Sequence, residues 1–217
     1  MPPINEARRR GLADAAIALL ASGGVHGLTH RSVEKTAKVP SGTASNYFPT
    51  REALLVGAAE RVVELHLADM ESASRGEAMP QAVDEPGSMP SSAREGRRDT
   101  ATAARLVDLL TASLLNAATR QRDRYRAICE LRLEAARWPA LASALAGLTE
   151  LTQAQTESLH ADLGTRLPAS AIRTLITLYS GTLFTLVTTP LAEIEEAAVR
   201  DLVEASVRGV VGEPGPS

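Results

Sequence analysis

Apolar residues recur along most of the 217-residue chain at spacings of three and four, the period of an α-helix with one buried face. Over residues 4–22 the stripe is Leu12, Ala15, Ala16, Leu19 and Leu20, and Gly23-Gly24 ends it with residues that tolerate a left-handed backbone. Val25 and Leu28 then flank a short loop. A second helix is expected over about 29–38, with Val33 and Ala37 inward and the Thr29 hydroxyl free to cap it. Pro40 marks a turn, because the residue before a proline is pushed out of the helical region. A third, short helix follows over about 41–47, and Phe48-Pro49-Thr50 breaks the chain. A fourth spans about 51–72, with Leu54, Leu55, Ala58, Val62 and Leu65 inward, a Thr50 cap and Glu52 in its first turn.

Over 73–99 the periodicity gives way to Pro, Gly, Ser and charge, which reads as a loop or linker. Helical spacing resumes over about 101–119, 121–137, 139–164 (with a break expected near Gly147), 169–188 and 192–210. The 169–188 stretch is apolar almost all round and must be buried on more than one side. In the last helix Ile194, Ala198, Leu202, Ala205 and Val210 form the expected inward face. No run alternates with period two, so the fold class is all-α, with about nine helices.

Composition narrows the picture. Apolar residues make up 44% of the chain but aromatics only 3%, so the core is built from Leu, Ala, Val and Ile. The formal net charge of −3 argues against a blanket nucleic-acid coat. Its distribution is uneven. Residues 1–60 carry seven Arg and Lys against five Asp and Glu, and residues 61–217 carry sixteen against twenty-one. A single cysteine, Cys129, excludes an internal disulfide and a cysteine-based zinc site. His26, His30, His66 and His160 show no metal-ligand spacing. The longest apolar stretch, around 175–191, is interrupted by Ser180, Gly181 and several Thr, which reads as too polar for a membrane span. With no secretory segment at the N-terminus, a soluble cytoplasmic protein is expected, with no membrane contact. There is no catalytic triad, no Gly-rich phosphate loop after a strand and no spaced ligand set, so no enzymatic activity, metal or cofactor is expected.

The candidate chemistry lies in residues 28–55, LTHRSVEKTAKVPSGTASNYFPTREALL: helix, tight turn, short helix, break, new helix. Thr29, Arg31, Ser32, Lys35 and Lys38 fall on the first of these helices. Ser41, Thr43, Ser45 and Asn46 give the second a surface of small hydrogen-bonding side chains, of the size that approaches base edges and phosphates in a major groove. Gly42 carries no side chain, so backbone can come close to DNA there. Phe48 reads as core.

This stretch resembles the N-terminal signature of the TetR family of bacterial transcriptional regulators. The matching residues are Gly27-Leu28-Thr29, then Gly42-Thr43-Ala44-Ser45-Asn46-Tyr47-Phe48, then Pro49-Thr50-Arg51-Glu52-Ala53-Leu54. The resemblance covers roughly residues 5–60. It departs from the family at Ser45, where many members carry a phosphate-contacting Tyr, and in the turn Lys38-Val39-Pro40-Ser41, where Gly-Val-Ser is usual.

The resemblance implies a helix-turn-helix DNA-binding domain over 1–50, a connecting helix over 51–72 and an effector-binding, dimerising domain over 100–211. It implies a DNA-contact set of Thr29, Arg31, Ser32, Ser41, Gly42, Thr43, Ser45, Asn46, Tyr47 and Arg51. Ser41, Thr43 and Asn46 would meet base edges or phosphates, Arg31 the groove or backbone, and Arg51 a phosphate, while Tyr47 would either hold a phosphate through its hydroxyl or pack its ring on the head. It also implies a two-fold homodimer through the helices near 169–188 and 192–210, bound to a near-palindromic double-stranded operator with half-sites about 34–36 Å apart. A small, largely apolar effector would release the DNA, and Cys129, Leu133, Trp138, Tyr179 and Leu183 are the nominated pocket residues, with core packing as the alternative for each. A regulator without an effector, whose C-terminal domain only dimerises or binds a protein partner, fits the same pattern.

Overall fold

The computed structural model describes residues 5–76, 91–162 and 167–211. Among these residues it is all-helical. The helices are α1 (Glu6–Gly23), α2 (His30–Ala37), α3 (Thr43–Tyr47), α4 (Arg51–Gly76), α5 (Ser91–Thr119), α6 (Arg122–Ala135), α7 (Pro139–Asp162), α8 (Ala169–Thr188) and α9 (Glu196–Val211). Short 3-10 turns lie at Val25–Gly27 and Leu191–Glu193. Where a linker was expected over 73–99, α4 runs on to Gly76 and α5 begins at Ser91. Ala, Glu and Arg in those margins sustain a helix without an apolar stripe. The remainder of that stretch, 77–90, lies outside the described residues. No break occurs at Gly147, since a single glycine costs a helix only about 1 kcal/mol.

The chain divides into two compact units, Met1–Arg75 with Gln121–Leu151, and Gly76–Arg120 with Thr152–Ser217. The division differs from the expected boundary near residue 100. Ala127, Ile128 and Leu131 of α6, whose apolar stripe packs with α1, and Leu141, Leu145 and Leu148 of α7 join the core of the N-terminal unit.

In that first unit, α1, α2 and α4 bury Leu12, Leu20, Val33, Leu54, Leu55 and Val62 around Leu28 and Phe48. Local chemistry sets the ends of these helices. The Asn5 side chain accepts the Arg8 N–H at 3.0 Å and starts α1. Gly24, at φ 63°, donates its N–H to the Leu20 carbonyl and ends it. The Thr50 hydroxyl accepts the Ala53 N–H at 3.0 Å, as the sequence led us to expect. Ion pairs of alternating sense tie α1 to α4: Arg9 to Glu60 at 2.6 Å, Arg10 to Glu64 at 3.2 Å, and Arg61 to Asp14 at 2.7 Å. Asp14, and then Glu64, hold the Arg61 guanidinium above its ordinary value against the opposing effect of partial burial.

In the second unit α5, α8 and α9 pack together, with Leu106, Leu114, Leu175, Leu183, Leu186 and Val187 buried. Arg200 of α9 pairs with Asp108 of α5 at 2.8 Å. The inward face of α9 is Val199, Val203 and Val207. This corrects the expected stripe, because Ala198, Leu202 and Ala205 are exposed and Ile194 and Val210 only half-buried. By length and mean hydropathy (20 residues, 1.2) α8 only just reaches what a membrane-crossing helix needs, which agrees with the expectation that its hydroxyl-bearing residues make it too polar for a convincing span. Its Thr174, Thr177, Thr185 and Thr188 hydroxyls are turned back onto carbonyls one turn earlier, which leaves their methyl groups to set the outer surface.

Candidate nucleic-acid interface

The α2–turn–α3 element is held by bonds that the sequence pattern does not announce. Thr29 and Ser32 form a reciprocal capping box. The Ser32 N–H donates to the Thr29 hydroxyl at 3.0 Å, and the Thr29 N–H donates to the Ser32 hydroxyl at 2.9 Å. The Ser32 hydroxyl also donates to the Gly27 carbonyl at 2.8 Å. Both side chains therefore build the start of α2, and neither is left as a simple outward donor.

Lys38 ends α2 in the left-handed region at φ 55°, the one described non-glycine residue with positive φ. Its N–H closes onto the last turn, and the Val39 N–H reaches the Glu34 carbonyl at 3.0 Å. The position where the family favours glycine is thus a position that needs a left-handed backbone, and Lys38 carries a local cost of about 1–2 kcal/mol there.

The third helix is shorter than expected. Ser41 and Gly42 lie in the turn, Gly42 at φ 85° is the cap, and α3 covers only Thr43–Tyr47. Five residues cannot hold a helix by themselves. Two residues one turn apart on α2 hold it instead. The Glu34 carboxylate, buried at 6% exposure, accepts the Ala44 N–H at 2.9 Å at the start of α3. The His30 Nε2 donates to the Phe48 carbonyl at 2.6 Å at its end, and that acceptor requires the proton to sit on Nε2.

Behind α3 the Phe48 ring is buried. It faces Gly57 of α4, where an added Cβ would stand 2.3 Å from Cε1, and the Arg9 guanidinium lies 5.4 Å from the ring centre. Glycine at 57 is what lets the break after α3 dock on α4.

What remains outward is a compact polar surface. Arg31, Lys35, Lys38, Ser41, Gly42, Ser45 and Asn46 are exposed. Among the described residues the Arg31, Ser41 and Asn46 side chains make no internal hydrogen bond. Thr43 and Ser45 donate their hydroxyls to the Pro40 and Gly42 carbonyls at 2.6 and 3.0 Å and keep lone pairs free to accept. Tyr47 is half-buried, its ring packed on the core. Arg51 is exposed, but its Nη2 donates to the Val25 carbonyl at 2.6 Å, so one of its five N–H donors is already committed. Arg9 and Arg10 are paired with α4 carboxylates, and among the described residues of α1 to α3 and the start of α4 the cations left for a polyanion are Arg8, Arg31, Lys35, Lys38 and the rest of Arg51.

The nominated effector residues are scattered. Cys129, Leu133 and Trp138 belong to the first unit, Tyr179 and Leu183 to the second. Leu133 and Trp138 are exposed, at 64% and 39%. Leu183 is core, and the Tyr179 hydroxyl shares a 2.8 Å hydrogen bond with Ser113. Burial pushes the Cys129 thiol up despite the nearby Arg132, which makes it a poor thiolate. A shallow open depression in the first unit is lined by Asn5, Arg8, Gly11, Leu12, Ala37 and Val39, none of them nominated.

Comparison with known proteins agrees with this geometry. Residues 12–58 match the family model described as bacterial regulatory proteins, tetR family, and residues 101–213 match the tetracyclin repressor-like C-terminal domain. No curated protein sequence matches the chain. Among solved structures, a TetR-family regulator from Mesorhizobium loti superposes with a TM-score of 0.69 at 17% identity, covering 96% of this chain and 97% of its own. A transcriptional regulator from Rhodococcus sp. Rha1 gives 0.69 at 17%, covering 94% and 95%. The multidrug binding protein EbrR, complexed with ethidium, gives 0.58 at 26%, covering 92% and 98%. With a helix-turn-helix head that matches one half of the family description and a helical C-terminal domain that matches the other, this chain belongs to the TetR family of bacterial DNA-binding transcriptional regulators.

Proposed function

We propose that the chain is a homodimeric repressor that leaves a near-palindromic operator when a small, largely apolar effector binds its C-terminal domain. The observation that carries the DNA half is the outward surface of α2 and α3, with Arg31, Ser41 and Asn46 unpaired while Glu34 and His30 hold α3 from behind. Asn46 reads a base edge; Arg31, Tyr47 and the uncommitted donors of Arg51 take phosphates. Thr29 and Ser32 act by shaping α2. Gly42, Thr43 and Ser45 let the turn approach the backbone.

The effector half is supported by the similarity to EbrR, whose structure holds ethidium. A second support is the buried Thr111 hydroxyl on α5, which has no hydrogen-bond partner among the described residues and would gain one from a polar ligand atom. The exposure of Leu133 and Trp138 favours a second reading, in which this part of the chain meets a protein partner and DNA release needs no small molecule.

The operator is found by selecting bound fragments from the source genome. On that operator the Tyr47→Ala/Arg51→Ala double variant should lose affinity on all sequences, with a shallower salt dependence. Asn46→Ala should relax base preference. Full retention of binding by the double variant sinks this DNA face. Ethidium and other amphipathic ligands should weaken operator binding if the effector reading holds, since a ligand shifts only the state it prefers. Unchanged affinity across such a panel selects the second reading.

A further inference from the structure

The backbone of Val25, between α1 and α2, is gripped from two sides. Glu130 of α6 accepts the Val25 N–H through Oε2 at 3.2 Å. Arg51 of α4 donates to the Val25 carbonyl at 2.6 Å. Gly24 makes the first grip possible: its φ of 63° turns the chain toward α6, and an added Cβ would meet the Glu130 carboxylate at 3.2 Å. The Val25 side chain is itself buried. Both bonds are charge-assisted, the stronger kind, and both lie in the first unit.

We infer that Glu130 is a positioning residue for the DNA-binding surface, acting through Val25 on the start of α2 and on Arg51; this rests on the DNA face proposed above. The 3-10 turn begun by Val25 leads in four residues to Thr29 and the α2 cap, and in six to Arg31. With Glu130 in place, the turn has one position. That position fixes the first turn of α2 and offers Arg51 an acceptor that points its remaining donors to one side. With Glu130 withdrawn, the Val25 N–H loses its only acceptor among the described residues, the turn gains freedom, and the Arg51 anchor moves with it. A displacement of α6 therefore reaches the phosphate-holding groups through the Glu130 carboxylate as well as through the packing of α6 on α1. Nothing in the sequence near Glu130 marks this role, since its partner lies 105 residues away.

The test uses the full-length chain, amide hydrogen exchange and fluorescence anisotropy on a random-sequence duplex of about 30 base pairs at low salt. Glu130→Ala should speed Val25 amide exchange by about tenfold or more and weaken duplex binding by about tenfold. Glu130→Gln, which keeps a carbonyl acceptor of the same reach, should restore both to within about twofold. Glu130→Asp keeps the charge but retracts the acceptor, and should behave like Glu130→Ala, which guards against a variant that merely fails to fold. Unchanged Val25 exchange in the Ala and Asp variants overturns the grip, and faster exchange with unchanged affinity overturns the positioning role. A wild-type chain that does not bind the duplex at all overturns the DNA-face reading instead, and the Val25 exchange still reports on the grip.

Discussion

The Glu34 carboxylate accepts the Ala44 N–H at 2.9 Å from inside the protein core, so α3 is capped by its neighbour and not by itself. Its own cap, Gly42, offers no side chain. Removing Glu34 leaves a buried N–H without an acceptor and a five-residue helix without a start. Glu34→Ala is expected to destabilise the fold by about 2 kcal/mol, a fall in Tm of about 4–8 °C. It should also cost operator affinity beyond what the stability loss explains. Thermal unfolding together with binding well below Tm checks both, and a variant with wild-type affinity at low temperature contradicts the capping role.

The contact between Phe48 and Gly57 supplies an independent handle on the same helix. A Cβ at 57 would stand 2.3 Å from the Phe48 ring, a distance that real atoms do not tolerate. Gly57→Ala should therefore destabilise by about 1–3 kcal/mol even though alanine is the better helix former. Phe48→Leu shortens the side chain, so adding it to Gly57→Ala should recover part of the loss. A denaturant double-mutant cycle measures this coupling, and strictly additive effects would show that the ring can move aside freely.

What was legible in the sequence was local. Thr29, Thr50 and Gly24 announce helix ends because a cap acts within four residues, and Phe48 announces core because the break around it is short. Glu34, His30 and Glu130 were illegible for the converse reason. Each bonds a backbone group 10, 18 or 105 residues away, and backbone groups leave no trace in residue identity. Arg51 was legible as an exposed cation at the start of α4 but not as a donor to Val25. The α9 stripe was misread because the helix has two apolar faces, Val199, Val203 and Val207 on one side and Leu202 with its alanines on the other. Periodicity cannot say which of the two faces its own chain.

His160 links pH to stability. It is buried, and burial lowers its pKa below the ordinary imidazole value. As pH falls through about 6.5 the unfolded chain takes up a proton that the folded chain refuses. Stability is therefore full above that pH and declines below it, until the folded state is also protonated. Urea midpoints at pH 7.5 and about 5.5 should differ more for the wild type than for His160→Gln, in a window where carboxylates contribute little. Equal differences would place the acid sensitivity elsewhere.

The second face of α9 and the outer face of α8 bear on assembly. Phe184 and Leu202 are 51% and 52% exposed and Leu178 is 40% exposed, more large apolar surface than two packed helices leave without a reason. The threonines between them present methyl groups, and Gly181 lets another helix come close. These features support a two-fold seam in which α8 and α9 meet the same pair in a second copy. Phe184→Glu with Leu202→Glu would set like charges against each other across the two-fold axis. Both residues are exposed in the single chain, so helical content should hold. Light scattering should report the mass of one chain where the wild type gives two, and affinity for a palindromic operator should fall to that of an isolated half-site. A double variant that still elutes and scatters as a dimer would move the seam to another face.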